Sequence, residues 1–286
     1  MSAARRVVTY GRMIRFSHSI FALPFALASV ALASGPRFPA IPIAWILVAM
    51  VGARSAAMGF NRLADHAIDA RNPRTDGREL PRGVLSRGEV WAFVLLSAAA
   101  LVWAASRLNA LCLALSPVAL AIVFGYSYTK RFTWLSHLFL GLALGVAPVG
   151  AWIAIRGRIE MPPILLGLAV LAWTAGFDII YACQDVDFDR REGLHSIPAR
   201  LGTGRALAVA RALHVGTVIL LVALYAQVGL HPVYLGGMGV IAGLLVYEHS
   251  LVHAEDLSKI DAAFFTMNGW VSVAYFVVTL TARLLA

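Results

Sequence analysis

Gly59–Gly83 reads GFNRLADHAIDARNPRTDGRELPRG and sets four acids and five arginines directly after a nearly unbroken apolar run. The surroundings make this charge unusual. The chain of 286 residues is 60% hydrophobic and only 14% charged, more apolar surface than one water-soluble core can hide. It is therefore expected to be an integral membrane protein. A helix needs about 20 apolar residues to cross the hydrocarbon layer. Spans of that length are read at 18–35, 40–60, 89–106, 109–128, 134–155, 162–183, 206–229, 232–252 and 263–285. The expected fold is an all-α bundle of nine transmembrane helices with short cytoplasmic loops, forming a single domain over 1–286.

The net charge of +9 follows topology and leaves no nucleic-acid footprint. With the N-terminus inside, Arg5, Arg6, Arg12, Arg15, Arg71, Arg74, Arg78, Arg82, Lys130, Arg131, Arg190 and Arg191 all fall on the cytoplasmic side. The opposite side holds only Arg37, Arg107, Arg156, Arg158 and Arg283. The first apolar run reads as a span rather than a cleaved leader, because eight more follow it. Two cysteines in separate spans, Cys112 and Cys183, exclude a disulfide framework.

A carboxylate inside a span costs roughly 2.5–3.5 kcal/mol, and residues carrying that cost usually face a cavity and act there. Two such clusters occur, DHAID at Asp65–Asp69 and DVDFD at Asp185–Asp189, each at the end of a span and each followed by a basic loop with a proline. Residues four apart share a helix face, so Asn61, Asp65 and Asp69 form one polar stripe. Tyr181, Asp185 and Asp189 form a second, with Asp178 a turn further in and Asp187 pointing elsewhere. Like charges at this spacing repel, and the arrangement calls for cations. The ligands are all oxygens, which suits Mg²⁺ completed by substrate phosphates. Arg62, Arg74, Arg78, Lys130, Arg131, Arg190 and Arg191 are placed to contact phosphate oxygens, although anchoring at lipid headgroups also accounts for arginines in such loops.

Asn61-Arg62-x-x-Asp65-x-x-x-Asp69 with NPRT after it, DIIYACQDVDFD, and YSYTKR after the fourth span together resemble the UbiA superfamily of intramembrane prenyltransferases over nearly the whole chain. The resemblance implies transfer of a polyprenyl chain from its diphosphate to an aromatic or other acceptor. It implies two Mg²⁺ held by Asp65, Asp69, Asp185 and Asp189, with Asn61 supporting the first. Breaking the allylic C–O bond leaves a carbocation, which calls for a dry aromatic cavity. Tyr126, Tyr128, Trp134, Phe177 and Tyr181 are candidates to line it, while packing alone also explains any one of them.

Within the superfamily, MIRFSHSIFALPFA and ARNPRTDGRELPRG most resemble bacterial enzymes that prenylate 4-hydroxybenzoate for ubiquinone or menaquinone formation. The same chemistry on 1,4-dihydroxy-6-naphthoate in the futalosine route is the alternative acceptor. Either acceptor carries a carboxylate, for which Arg15 is the candidate partner although membrane orientation equally accounts for an arginine there, and a phenol. Asp178 is the candidate to accept a hydrogen bond from that phenol or to position a metal-bound water. Asp178 reads equally as a buried acid satisfied by a Tyr or Arg. Secondary transporters also use intramembrane carboxylates and form the competing class.

Overall fold

The computed structural model describes residues 3–15, 21–35 and 38–286. It is all-helical, with no strand among the described residues. The helices are α1 (Ala3–Met13), α2 (Leu23–Ser34), α3 (Ala40–Asp69), α4 (Arg87–Leu108), α5 (Ala110–Thr129), α6 (Ser136–Arg156), α7 (Met161–Ala182), α8 (Val186–Arg191), α9 (Ile197–Leu201), α10 (Thr203–Val228), α11 (Val233–Ser250) and α12 (Asn268–Leu284). Seven membrane-length apolar helices lie among the described residues. Two of the nine expected spans fall short. The first is described as the 12-residue α2, and residues 18–20 of that span lie outside the described residues. The other is α11, 18 residues long, whose last turn carries Glu248 and His249.

The helices gather into two compact units. One comprises α1 and the chain from Ala44 through α5, and the other comprises α2 and the chain from Thr129 onward.

In the first unit, α3 runs 30 residues, well past the predicted end at residue 60, and carries the first acidic motif in its last turns. Pro73 follows Asn72, and a residue before proline is disfavoured in the helical region, so the helix stops short of it. At the start of α4 the Ser86 hydroxyl accepts from the Glu89 amide at 3.2 Å while the Glu89 carboxylate accepts from the Ser86 amide at 2.9 Å. This reciprocal cap satisfies two of the donors that a helix start leaves open. Close α3–α4 packing depends on Gly52, where a Cβ would come within 2.8 Å of the Ser97 carbonyl. Met13, Ile14, Leu63, Leu80, Leu85, Val90 and Val94 form the buried core.

In the second unit, Met161–Arg191 is the central element, 67% buried over its most apolar window, against 17% for α5 in the first unit. Helix α6 lies tightly against it. A Cβ at Gly141 or Gly145 would run into the carbonyls of Leu171 and Gly167, and small residues are what let membrane helices approach this closely. Phe25 packs on Trp173 and Tyr275 at ring distances of 5.0 and 4.8 Å, tying α2, α7 and α12 into one aromatic core. A buried polar knot lies beside it. His214 Nδ1 and His249 Nε2 are 3.0 Å apart, and Asn268 donates to the wholly buried Glu248 at 3.1 Å.

Candidate active site

The first acidic motif occupies the last turns of α3. Asn61 Nδ2 donates to Asp65 Oδ2 at 3.2 Å and lies 3.4 Å from the Ser127 hydroxyl of α5. Asp65 and Asp69 are 3% and 4% exposed, deep burial for carboxylates. The loop beyond folds back for local reasons. The Asn72 carbonyl accepts from Thr75 N and Asp76 N, and the Thr75 hydroxyl caps the Asp69 carbonyl at 3.1 Å. This brings Arg78 to the helix end, where its Nη1 donates to both oxygens of Asp69 at 2.7 Å. The stripe of Asn61, Asp65 and Asp69 is therefore present as expected, with Arg78 at its outer end.

The other cationic candidates of this unit separate. Arg62 is 4% exposed and its Nε donates to the Met13 carbonyl at 3.2 Å, so the group expected at phosphate helps close the C-terminus of α1. Arg74 is exposed on the loop. Tyr126 is half-buried on α5, next to Ser127. Arg15, the expected partner of an acceptor carboxylate, has a left-handed backbone with φ of 45°, uncommon away from glycine. Its carbonyl accepts from Arg54 Nη2 at 3.1 Å.

Arg54 is the residue that the sequence reading missed. It sits in the middle of α3, seven and eleven residues before Asn61 and Asp65, spacings that share one helix face. Its Nε is buried with no hydrogen-bond partner among the described residues. A lone arginine in an apolar span was the signal available, on the same cost argument that drew attention to the aspartates.

The second acidic motif lies on an interrupted helix. The chain tightens into a 3₁₀ turn at Cys183–Asp185 and resumes as α8, so the expected regular stripe from Tyr181 to Asp189 is broken at its centre. The facing pattern survives the break. Asp185 and Asp189 are half-buried, whereas Asp187 is exposed. Asp189 Oδ2 accepts from the Ser196 hydroxyl at 2.8 Å, and Ser196 in turn caps α9 by accepting from Ala199 N at 3.2 Å. The charge of Lys130 also acts on Asp189. Lys130 and Arg131 are half-buried in the turn after α5, and the Lys130 carbonyl accepts from His195 N at 2.7 Å.

Asp178, one helical stretch inward, has a partner that the sequence reading did not name. His137 Nδ1 lies 2.7 Å from Asp178 Oδ2. Near it, Tyr181 stacks on Phe264 at 4.1 Å, and Phe177 meets Phe264 edge-on at 5.3 Å. Two of the five aromatic candidates thus join one wall. Trp134 is engaged elsewhere, under the Arg200 guanidinium at 4.8 Å, and Tyr128 lies against Phe60.

Among the described residues, no three His, Cys, Asp or Glu side chains converge as a ready-made metal cage. The donors nonetheless fit Mg²⁺. Each motif offers two carboxylates, the first with an amide oxygen beside them, and Mg²⁺ is ordinarily held by one or two carboxylates with substrate phosphates completing the shell.

Two pairs of aspartates, buried in the first motif and half-buried in the second, thus lie at the ends of membrane-length helices beside arginines. The UbiA prenyltransferase family model matches residues 22–271, and the chain belongs to that family. It is an intramembrane prenyltransferase, which removes the transporter alternative. Among curated relatives it is similar to the 4-hydroxybenzoate octaprenyltransferase of Xanthomonas euvesicatoria pv. vesicatoria, 33% identical and covering 83% of this chain and 79% of that one. The enzyme of the same name from Vibrio atlanticus is 30% identical over 93% and 94% of the two chains. Of solved structures, the apo UbiA homolog from Aeropyrum pernix K1 superposes with a TM-score of 0.80 at 34% identity, covering 93% of this chain and 96% of that one. A UbiA homolog from Archaeoglobus fulgidus bound to GPP and Mg²⁺ shares the fold with a TM-score of 0.73 at 21% identity, over 97% and 100%.

Proposed function

We propose that the protein transfers a polyprenyl chain from its diphosphate to an aromatic acid of the 4-hydroxybenzoate type, with Mg²⁺, as a step of quinone biosynthesis. Residues 1–286 act as one prenyltransferase domain in a bacterial cytoplasmic membrane, with the N-terminus and both acidic motifs on the cytoplasmic side, as the distribution of Lys and Arg favours. The relatives' names support the aromatic acceptor. The neighbouring structure holding GPP and Mg²⁺ supports the donor and the metal. The observation that carries the reading is the end of α3, where two buried carboxylates are each held by a direct hydrogen bond, Asp65 by Asn61 and Asp69 by Arg78.

Asn61, Asp65, Asp69, Asp185 and Asp189 are the residues that would hold the metal, which when bound neutralises the diphosphate as the allylic C–O bond breaks. The protein's own groups supply the rest. Arg78 and Lys130 offer cationic donors to diphosphate oxygens. Tyr181, Phe177 and Phe264 present ring faces to the allylic cation and keep water from it. Arg54, with its unpartnered Nε, is better suited than Arg15 to hold the acceptor carboxylate. Asp178 accepts a hydrogen bond from the acceptor phenol.

The test incubates membranes carrying the protein with a polyprenyl diphosphate, Mg²⁺ and a panel that includes 4-hydroxybenzoate and 1,4-dihydroxy-6-naphthoate, and identifies products by mass. A C-prenylated acid is expected, and the acceptor that reacts fixes the pathway. Intact donor with every acid in the panel would end this reading.

A further inference from the structure

Asp178 is held by a residue that no family motif of the sequence contains. His137 is the second residue of α6, and its side chain is 4% exposed. Both ring nitrogens are engaged. Nε2 lies 3.3 Å from the Ile197 backbone nitrogen, and Nδ1 lies 2.7 Å from Asp178 Oδ2. A backbone N–H only donates, so Nε2 is the acceptor and the ring proton sits on Nδ1, pointing at Asp178. The partners thus assign a neutral imidazole of one tautomer.

The Asp178 side chain is 24% exposed, and Oδ1 has no hydrogen bond among the described residues. A carboxylate kept purely for packing would be closed off and satisfied at both oxygens. Here one oxygen is fixed by the imidazole and about a quarter of the side chain stays open, on the helix that also carries Phe177 and Tyr181.

The far side of His137 leads back to the second motif. Ile197 opens α9, and the capping residue before it, Ser196, donates to Asp189. His195, one residue earlier, is tied by its amide to the Lys130 carbonyl and by its carbonyl to the Ser136 hydroxyl. Three consecutive residues therefore hold Asp189, the turn carrying Lys130, and His137 in one hydrogen-bonded frame.

We infer that His137 is a positioning residue that sets Asp178 as the proton acceptor for the phenol of the aromatic substrate and registers it against Asp189 through Ser196–Ile197. This rests on the aromatic-acid reading above. The phenolic proton passes to Asp178 Oδ1 as the ring carbon bonds to the allylic carbon and the C–O electron pair leaves with diphosphate. The ring C–H proton then goes to the departed diphosphate, and Asp178 returns its proton to the oxygen as the ring regains aromaticity. A neutral imidazole suits this task better than Lys or Arg. A full positive charge at 2.7 Å would stabilise the carboxylate and weaken it as a base.

The test compares wild type, His137→Ala and His137→Asn, whose amide N–H can take the place of Nδ1–H. Transfer to 4-hydroxybenzoate and to 3-fluoro-4-hydroxybenzoate, which has a more acidic phenol, is measured alongside retention of labelled polyprenyl diphosphate by Mg²⁺-loaded membranes. His137→Ala should lower kcat for 4-hydroxybenzoate ~10- to 100-fold and leave donor retention within ~2-fold, general-base effects being of about 10²–10⁴ when lost entirely. The fluorinated acceptor should lose several-fold less, and His137→Asn should recover most of the rate. Donor retention falling in step with transfer, or equal losses for the two acceptors, overturns the proposal by making His137 merely structural. Wild type that prenylates neither acid removes the functional reading itself and His137's role with it.

Discussion

The two acidic motifs solve the same problem differently. In the first, Asp65 and Asp69 lie on one uninterrupted helix, almost completely buried, and a guanidinium from the following loop grips Asp69 through both oxygens. In the second, the helix tightens to 3₁₀ between Tyr181 and Asp189, the acids are half-buried, and the hydrogen bonds fixing Asp189 and Asp178 come from a hydroxyl and a neutral imidazole. A buried carboxylate needs a compensating cation, while a half-buried one can be aimed by neutral donors and keep its negative charge for a ligand. The first motif carries part of its counter-charge within the protein. The second leaves more of it to what binds.

The largest effects should come from the four acids themselves. Each of Asp65→Asn, Asp69→Asn, Asp185→Asn and Asp189→Asn should lower kcat by at least ~100-fold, because the lost charge stabilises the departing diphosphate more than the bound substrate. Pairing Asp65→Asn with Asp185→Asn should cost far less than the product of the single losses, as for groups that act as a unit. Full multiplicativity in a steady-state assay would mean that the motifs act separately. The contrast between them predicts a further split. Asp69→Asn strands Arg78 and should also lower thermal stability in detergent, whereas Asp189→Asn, losing one hydroxyl donor, should leave it nearly unchanged.

Next in size is the acceptor side. Arg54→Ala should raise the acceptor KM ~10-fold or more with donor KM little altered, as for loss of a charge-assisted contact. Arg15→Ala should have the smaller effect, and the reverse ranking would return the acceptor carboxylate to Arg15. The smallest change is expected at Asp187, exposed beside the break. Asp187→Asn should stay within ~3-fold of wild type, as surface substitutions generally do. Damage equal to that of Asp185→Asn would show that the 3₁₀ turn rearranges to bring Asp187 into the site.

Much of this was legible because it rests on charge and periodicity. The cost of Asp65 and Asp69 in a lipid-facing sequence marked the first motif, and four-residue spacing placed both on one face with Asn61. The same rule misread the second motif in detail, since no local residue in YACQDVDFD announces a 3₁₀ turn, although it still separated Asp187 from Asp185. Arg62 was assigned to phosphate from its place in the motif alone, and sequence could not show that its Nε reaches the Met13 carbonyl of α1. His137 and Ser196 could not have been found from sequence alone. They reach Asp178 and Asp189 only after α6 and the loop before α9 are packed, 41 and 7 residues away in the chain.

The central claim, that acids of both motifs serve metal-dependent prenyl transfer to an aromatic acid, is tested most directly by counting products under metal control. Membranes holding the wild-type chain, polyprenyl diphosphate and 4-hydroxybenzoate are stripped with chelator and then given Mg²⁺, Mn²⁺ or Ca²⁺, and prenylated acid and free diphosphate are quantified together. Neither product is expected in chelator, and one diphosphate for each prenylated acid is expected with Mg²⁺ or Mn²⁺. Ca²⁺ should restore little, because it favours a larger and looser oxygen shell. Undiminished prenylated acid in chelator, or diphosphate released with Mg²⁺ and no prenylated acid, would contradict it.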